Sequence, residues 1–217
     1  MKTKIVKISQ SEIAIDKIDE IVDVLKRDGI IVYPTETFYG LGANGFSAKA
    51  IQAVYRLKKR ETSKPLSVMI SDLAMLDRIV SEIPPHFRSL ISEFWPGPLT
   101  IILKASPEVP EELQGEGTIG VRLSGHIWVR SLVSRARFPV TATSANVSGE
   151  KAISSPVEAK ALYDGTVDLI VDGGKTQGSL PSTVVDMSKE KPRLIREGAI
   201  SSSRLRIFLP SLSEPSS

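Results

Sequence analysis

Ile30-Ile31-Val32-Tyr33-Pro34-Thr35-Glu36-Thr37-Phe38-Tyr39-Gly40-Leu41-Gly42 is the stretch whose reading decides the fold class. Ile30 to Tyr33 is a β-branched, apolar run that reads as a buried strand. Pro34 has no amide hydrogen to give to a neighbour, so it sends the chain into a loop. Upstream, Asp16 to Asp28 puts Ile18, Ile21, Val22 and Leu25 on one face at helical spacing, with Gly29 as the C-terminal stop. Downstream, Ser47 suits the N-cap of a helix that carries Ile51, Val54 and Leu57 on one face. Helix, buried strand, polar glycine-rich corner and helix, in that order, predict an α/β domain.

The remainder repeats this grammar without strict alternation. Lys4 to Ile8, Leu66 to Ile70, Leu99 to Lys104, Thr118 to Leu123, the run from Val140, Leu169 to Val171, Thr183 to Met187 and Arg193 to Arg196 read as strands. Helices are expected from Ser71-Asp72 to Val80, from Pro84-Pro85 to before Trp95-Pro96-Gly97-Pro98, near Ile127 to Arg135, and near Val157 to Tyr163. Broken alternation implies a mixed sheet rather than a doubly wound parallel one. Neither repeat nor linker divides the chain, so the expectation is one domain over 1–200 and a short Ser- and Pro-rich tail over 201–217, read as a short helix and a frayed end.

At 217 residues, with 41% hydrophobic and 24% charged residues, the chain reads as a soluble globular protein. Without cysteine it can build neither a disulfide framework nor a thiolate zinc site nor a cysteine nucleophile. Met1 to Gln10 lacks an apolar signal core and no run reaches membrane-spanning length, so no membrane partner and a cytoplasmic location are expected. The net charge of +3 permits an anionic ligand or RNA without demanding either. Its distribution is more informative: between Gly117 and Gly149 no acid occurs, while Arg122, Arg130, Arg135 and Arg137 do. The last three read as a solvated helix face. Arg122 lies inside a predicted strand.

Two further segments could carry chemistry. Lys58, Arg60 and Lys64 follow a helix instead of preceding one, so they would hold an anion by side-chain charge and not by helix N-terminal amides. Neither the Walker nor the Rossmann glycine pattern is present. A Lys/Arg cluster by itself is more often a solvated face, and on residues alone that reading is ahead. Thr143-Ser144-Ala145-Asn146, after the β-rich Phe138 to Ala142, offers hydroxyl and amide donors for phosphate or ribose. His86 and His126 are the only histidines, both in helix-entry contexts, which weighs against a serine triad and against a protein-held metal. The Tyr33 to Gly42 corner suits either a small-molecule wall or a turn whose threonines bond the backbone. Arg196, at a strand end before Gly198, suits a ligand contact and a surface ion pair equally well.

Taken together the motifs carry a resemblance. Tyr33-Pro34-Thr35-Glu36-Thr37 with Tyr39-Gly40-Leu41-Gly42, Lys58-x-Arg60 with Lys64-Pro65-Leu66, Trp95-Pro96-Gly97-Pro98-Leu99-Thr100, Val121-Arg122, Ser144-Ala145-Asn146-x-Ser148-Gly149, Ser182-Thr183-Val184 and Arg196-Glu197-Gly198 stand in family order. The set, from about Asp16 to Gly198, closely resembles the YrdC-like family of threonylcarbamoyl-AMP synthases in its single-domain form. Each motif is weak alone; the ordered set is specific.

The resemblance implies a twisted open mixed α/β sheet with flanking helices and a large concave basic cavity. It implies an enzyme that joins L-threonine and bicarbonate to ATP as threonylcarbamoyl-adenylate, releasing pyrophosphate. Mg2+ would be carried by the ATP phosphates, and the product passed to downstream threonylcarbamoyl-transferase proteins that modify tRNA. Carried onto this sequence, it puts Lys58, Arg60, Ser144 and Asn146 at the reaction centre. Lys64, Thr118, Ser154 (or Ser155) and Arg196 join them around ATP, while Thr35, Arg122, Ala142 and Ser182 line the threonine pocket. Two departures stand out. Met69 occupies a position where some relatives have His, and Glu150 to Pro156 is longer than the usual form. The competing expectation is a binding module that holds tRNA or double-stranded RNA without catalysis. With only 6% aromatic residues, such a module would grip phosphates more than stack on bases.

Overall fold

The computed structural model describes residues 2–9 and 14–214. In chain order the elements are β1 (Lys4–Lys7), α1 (Ile15–Lys26), β2 (Ile31–Pro34), β3 (Tyr39–Gly42), α2 (Ala48–Lys58), β4 (Ser67–Ile70), α3 (Leu73–Ile79), α4 (Phe87–Phe94), β5 (Leu99–Lys104), β6 (Thr118–Leu123), α5 (Ile127–Ala136), β7 (Val140–Thr141), β8 (Thr143–Ser144), α6 (Pro156–Tyr163), β9 (Leu169–Asp172), β10 (Thr183–Asp186), β11 (Arg193–Arg196) and α7 (Ser202–Phe208). The mixed α/β expectation is met, and the strands divide into two sheets. One is ordered β1-β9-β2-β3-β8 and the other β11-β10-β5-β6-β4-β7.

Local chemistry accounts for most of the boundaries. Ser47, Asp72 and Ser155 cap α2, α3 and α6, each side-chain oxygen accepting a first-turn amide hydrogen. Ile18, Ile21, Val22 and Leu25 form the buried face of α1, as their spacing predicts. Tyr39 to Gly42 is a strand paired antiparallel with β2, where the sequence suggests only a loop corner. Its glycines hide it, because Gly weakens a strand pattern. Gly42 is required at its position: an added Cβ would lie 2.8 Å from side-chain atoms of both Ile31 and Tyr33.

The sheets are joined where the chain passes from β7 to β8 across the single residue Ala142. Thr141 fastens this seam. Its fully buried hydroxyl donates to Leu41 O and accepts from Ala43 N, both at 2.9 Å, and Tyr33 Oη donates to its carbonyl at 2.9 Å. In the six-stranded sheet, Leu99, Ile101, Leu103, Ile119, Val121, Val68 and Ile70 occupy one face and are essentially solvent-free. Alternation puts Thr100, Thr118, Gly120, Arg122, Ser67 and Met69 on the other face. The candidate site is built on this second face. The expected short helix of the tail is α7, whose Leu205 is buried and whose Phe208 meets Phe94 edge-on at 5.4 Å.

Candidate active site

Helix α2 delivers Lys58 to the end of β8, so the two distant segments meet. Lys58 Nζ donates to Ser144 O at 2.6 Å, Asn146 O at 2.9 Å and Asn146 Oδ1 at 3.1 Å. Ser148 N returns a bond to Lys58 O at 2.9 Å. Asn146 Oδ1 also accepts from Ser144 Oγ at 2.5 Å, and Asn146 Nδ2 donates to Glu150 O at 2.6 Å. Every ammonium hydrogen of Lys58 therefore meets a neutral oxygen, and only 2% of the residue is exposed. Burial, with Arg60 adding repulsion, lowers the Lys58 amine to about 8. Lys58 thus braces the Ser144–Glu150 loop from beneath, a role that its sequence position alone does not disclose.

Arg60 is held by backbone oxygens, with Nε donating to Lys64 O at 2.8 Å and Nη2 to Pro65 O at 3.2 Å. Arg196, on the edge strand β11, donates to Ser182 O through Nε at 3.2 Å and Nη2 at 2.8 Å, and to Ser182 Oγ at 3.2 Å. Ser182 Oγ lies 3.0 Å from Thr100 Oγ1, beside Gly120. Gly198 lets this turn close, since an added Cβ would fall 2.2 Å from Pro181 O. Burial lowers the Arg196 guanidinium, and repulsion from Arg122 and Arg60 lowers it further. The three arginines, from β6, β11 and the loop after α2, are thus close enough to repel one another. Among the described residues no carboxylate lies within ion-pair distance of Lys58, Arg60 or Arg196. A cluster of partly desolvated cations without counter-charges suits a polyanionic ligand.

Arg122 is held differently. Its Nη2 lies 2.7 Å from Glu36 Oε1, with side-chain exposures of 6% and 20%. Its Nε donates to Gly97 O at 3.2 Å. Glu36 also accepts from Ser124 Oγ at 2.6 Å and Gly125 N at 2.8 Å. Burial alone would raise the Glu36 carboxyl, but Arg122 together with these two donors holds it below the ordinary carboxylate range. Glu36 is the site residue that sequence reasoning leaves without a role, although it lies inside the quoted corner motif. His126 follows this cluster. Its Nδ1 is buried without a hydrogen-bond partner, and burial lowers the imidazole.

The other predicted residues distribute unevenly. Thr35 is buried and bonded into its own turn, donating to Phe38 O at 2.7 Å and lying 3.0 Å from Thr37 Oγ1. Ala142 sits at the sheet seam, where its amide donates to Ser67 O at 2.7 Å. Thr118 shares the face of Gly120 and Arg122, with its hydroxyl turned to Gly115 O at 2.6 Å. Ser154 and Ser155 gather on Glu158 at the start of α6, and Ser155 supplies the cap. Neither is bonded to the Lys58 cluster. Lys64 is exposed and paired with Glu61 at 3.1 Å.

Fold and site together define a two-sheet α/β protein with a cluster of cations beside the seam of its sheets. Residues 23–198 match the Sua5/YciO/YrdC family model, described as telomere recombination, and the chain belongs to this family. It is 35% identical over 176 residues to the threonylcarbamoyl-AMP synthase of Pyrococcus abyssi, covering 80% of this chain and 52% of that protein. The crystal structure of P. abyssi Sua5 complexed with L-threonine superposes with a TM-score of 0.93 at 30% identity, over 98% of this chain and 62% of that one. E. coli YciO gives a TM-score of 0.85 at 29% identity, over 92% of this chain and 97% of that one. The chain thus spans about half the length of the P. abyssi synthase.

Proposed function

We propose that this chain makes threonylcarbamoyl-adenylate from L-threonine, bicarbonate and ATP, with release of pyrophosphate, and so supplies the threonylcarbamoyl modification of tRNA. The observation that carries the reading is the group Lys58, Arg60 and Arg196, brought together without carboxylate partners and next to Arg122. Family membership and the relative that holds L-threonine give this cation group a substrate set.

In this reading the threonine carboxylate docks on Arg122, with Ala142, Thr35 and Ser182 around the side chain. The uncharged threonine amine attacks CO2 with loss of a proton, or bicarbonate with loss of water, to form a carbamate. A carbamate oxygen then attacks the α-phosphorus of ATP, and the bond to the pyrophosphate oxygen breaks. Arg60 and Arg196 neutralise charge on the triphosphate. Lys58 holds the Ser144–Asn146 wall and adds its charge from below; Ser144 and Asn146 meet phosphate or ribose. Most of the rate enhancement comes from positioning and preorganised charge, as in other phosphoryl-group chemistry. Mg2+ arrives on the ATP phosphates: among the described residues no group of three His, Asp or Glu side chains is placed to hold an ion. Lys64, Thr118 and Ser154 belong to the nucleotide side as outer contacts.

The test is pyrophosphate release by the purified chain, assayed with each substrate omitted in turn. Release that requires L-threonine and bicarbonate together, and that falls when L-serine replaces threonine, is expected. tRNA binding with a steep salt dependence but no threonine- or ATP-dependent turnover would replace this reading with that of an RNA-binding module.

A further inference from the structure

Glu36 belongs to the β2–β3 corner of the five-stranded sheet, yet all its side-chain contacts lie on β6 and the turn that follows it in the other sheet. It is a partly buried carboxylate reaching across the seam to a buried guanidinium. An ionised carboxylate offers about four lone-pair positions. Two are taken, by Ser124 Oγ and Gly125 N, while Arg122 Nη2 lies 2.7 Å from Oε1 as an ion pair. The rotation of the carboxylate is therefore fixed by two bonds that do not involve Arg122.

Arg122 is in turn fixed on two sides. Nε is directed at Gly97 O and Nη2 at Glu36, an ion-pair contact outside hydrogen-bond alignment. Among the described residues Nη1 has no hydrogen-bond partner, and it is not one of the buried unpartnered atoms. The guanidinium thus presents one nitrogen edge while the protein restrains the others. Glu36 is a poor candidate for the base that takes a proton from the substrate ammonium, since the Arg122 charge and two hydrogen-bond donors stabilise its charged form.

We propose that Glu36 is the positioning residue that orients Arg122 toward the substrate carboxylate, so that the seam between the sheets sets amino-acid affinity separately from nucleotide affinity. The inference rests on the proposed function, which makes the substrate an amino acid. In physical terms Glu36 and its donors remove in advance the conformational cost of fixing an arginine side chain. A mobile Arg122 would have to bear that cost when substrate binds.

The experiment compares Glu36→Gln with the unchanged protein in threonine- and bicarbonate-dependent pyrophosphate release, with KM measured for each substrate. L-threonine binding is measured by calorimetry beside threoninol, which lacks the carboxylate. For Glu36→Gln, KM for threonine should rise by about tenfold or more, as expected for losing one charge-assisted contact, with KM for ATP nearly unchanged. The preference for threonine over threoninol should shrink in step. In an Arg122→Ala background Glu36→Gln should add nothing to threonine KM. A parallel rise in both KM values would make Glu36 merely structural and overturn the proposal. A fall in threonine KM would overturn it too, by showing that Glu36 competes with substrate for the guanidinium. If Glu36→Gln does not fold, Ser124→Ala removes one of the carboxylate's restraints. It should raise threonine KM about threefold, and no change there is contrary evidence. Failure of the unchanged protein to bind threonine would refute the functional reading itself, a result distinct from all of these.

Discussion

Lys58 and Arg122 are the two buried cations of the site, and the protein holds them in opposite ways. Lys58 meets three neutral oxygens of the Ser144–Asn146 wall and no carboxylate, so its charge is solvated but not cancelled. Arg122 meets Glu36, and the pair is close to neutral. The first arrangement leaves a surplus of positive charge, shared with Arg60 and Arg196, that a multiply charged phosphate chain would balance. The second leaves a pre-oriented guanidinium with a neutral background, suited to a ligand bearing a single carboxylate and an ammonium. In the proposed function, charge surplus and charge balance would thus assign ATP and threonine to different walls.

The sharpest way to break this contrast is to remove Arg122. Arg122→Ala leaves the partly buried Glu36 without its counter-charge, and urea unfolding should show a loss of about 3 kcal/mol or less. The double variant Arg122→Met with Glu36→Gln should recover much of that stability while remaining inactive. If Arg122→Ala alone melts like the parent, the pair is not the buried tie described above.

Next in size are the cations of the other wall. Arg60→Ala should lower pyrophosphate release by about 10²–10³-fold while the fold is kept, the range seen when one charge-stabilising donor is removed. Lys58→Ala should lose as much activity and also destabilise the protein, because it strands three acceptors. Full activity in Arg60→Ala would sink the phosphate assignment.

A pH series sharpens the comparison without a mutation. Lys58 titrates at about 8 in the folded protein against 10.5 in the unfolded chain. Below about 8 both states are protonated and the burial penalty is fully felt. As pH rises toward 10.5 the unfolded chain binds more protons than the folded one, so stability rises. In the proposed function ATP binds better beside the charged lysine, so its affinity should fall as pH rises through about 8, opposite in sign to the stability trend. Calorimetry at several pH values checks both slopes.

The smallest effect is expected at the rim. Lys64→Ala removes an exposed cation already paired with Glu61, and KM for ATP should change by no more than about threefold.

Much of the fold was legible because it is encoded locally. The amphipathic spacing of α1, the caps at Ser47 and Asp72, and the strands β10 and β11 are all readable from neighbours in sequence. Strand β3 was obscured by Gly40 and Gly42, which side-chain packing requires and strand propensity disfavours. In the site, the ordered motifs picked out Lys58, Arg60, Ser144, Asn146, Arg122, Ser182 and Arg196. They did not disclose that Lys58 points its ammonium at backbone oxygens, that the Thr35 hydroxyl is bonded within its own turn, or that Glu36 holds Arg122.

The amino-acid sequence by itself therefore determined the α/β class, most element boundaries and the identities of the charged groups, since each depends on propensity, period or cap within a few residues. The tertiary structure alone decided the division into two sheets, the seam at Thr141 and Ala142, and which cation is cancelled. Those depend on contacts between residues 86 and 88 positions apart, such as Lys58 with Ser144 and Glu36 with Ser124. Only chain topology sets such distances, and whether a buried charge is balanced is a property of its surroundings in space.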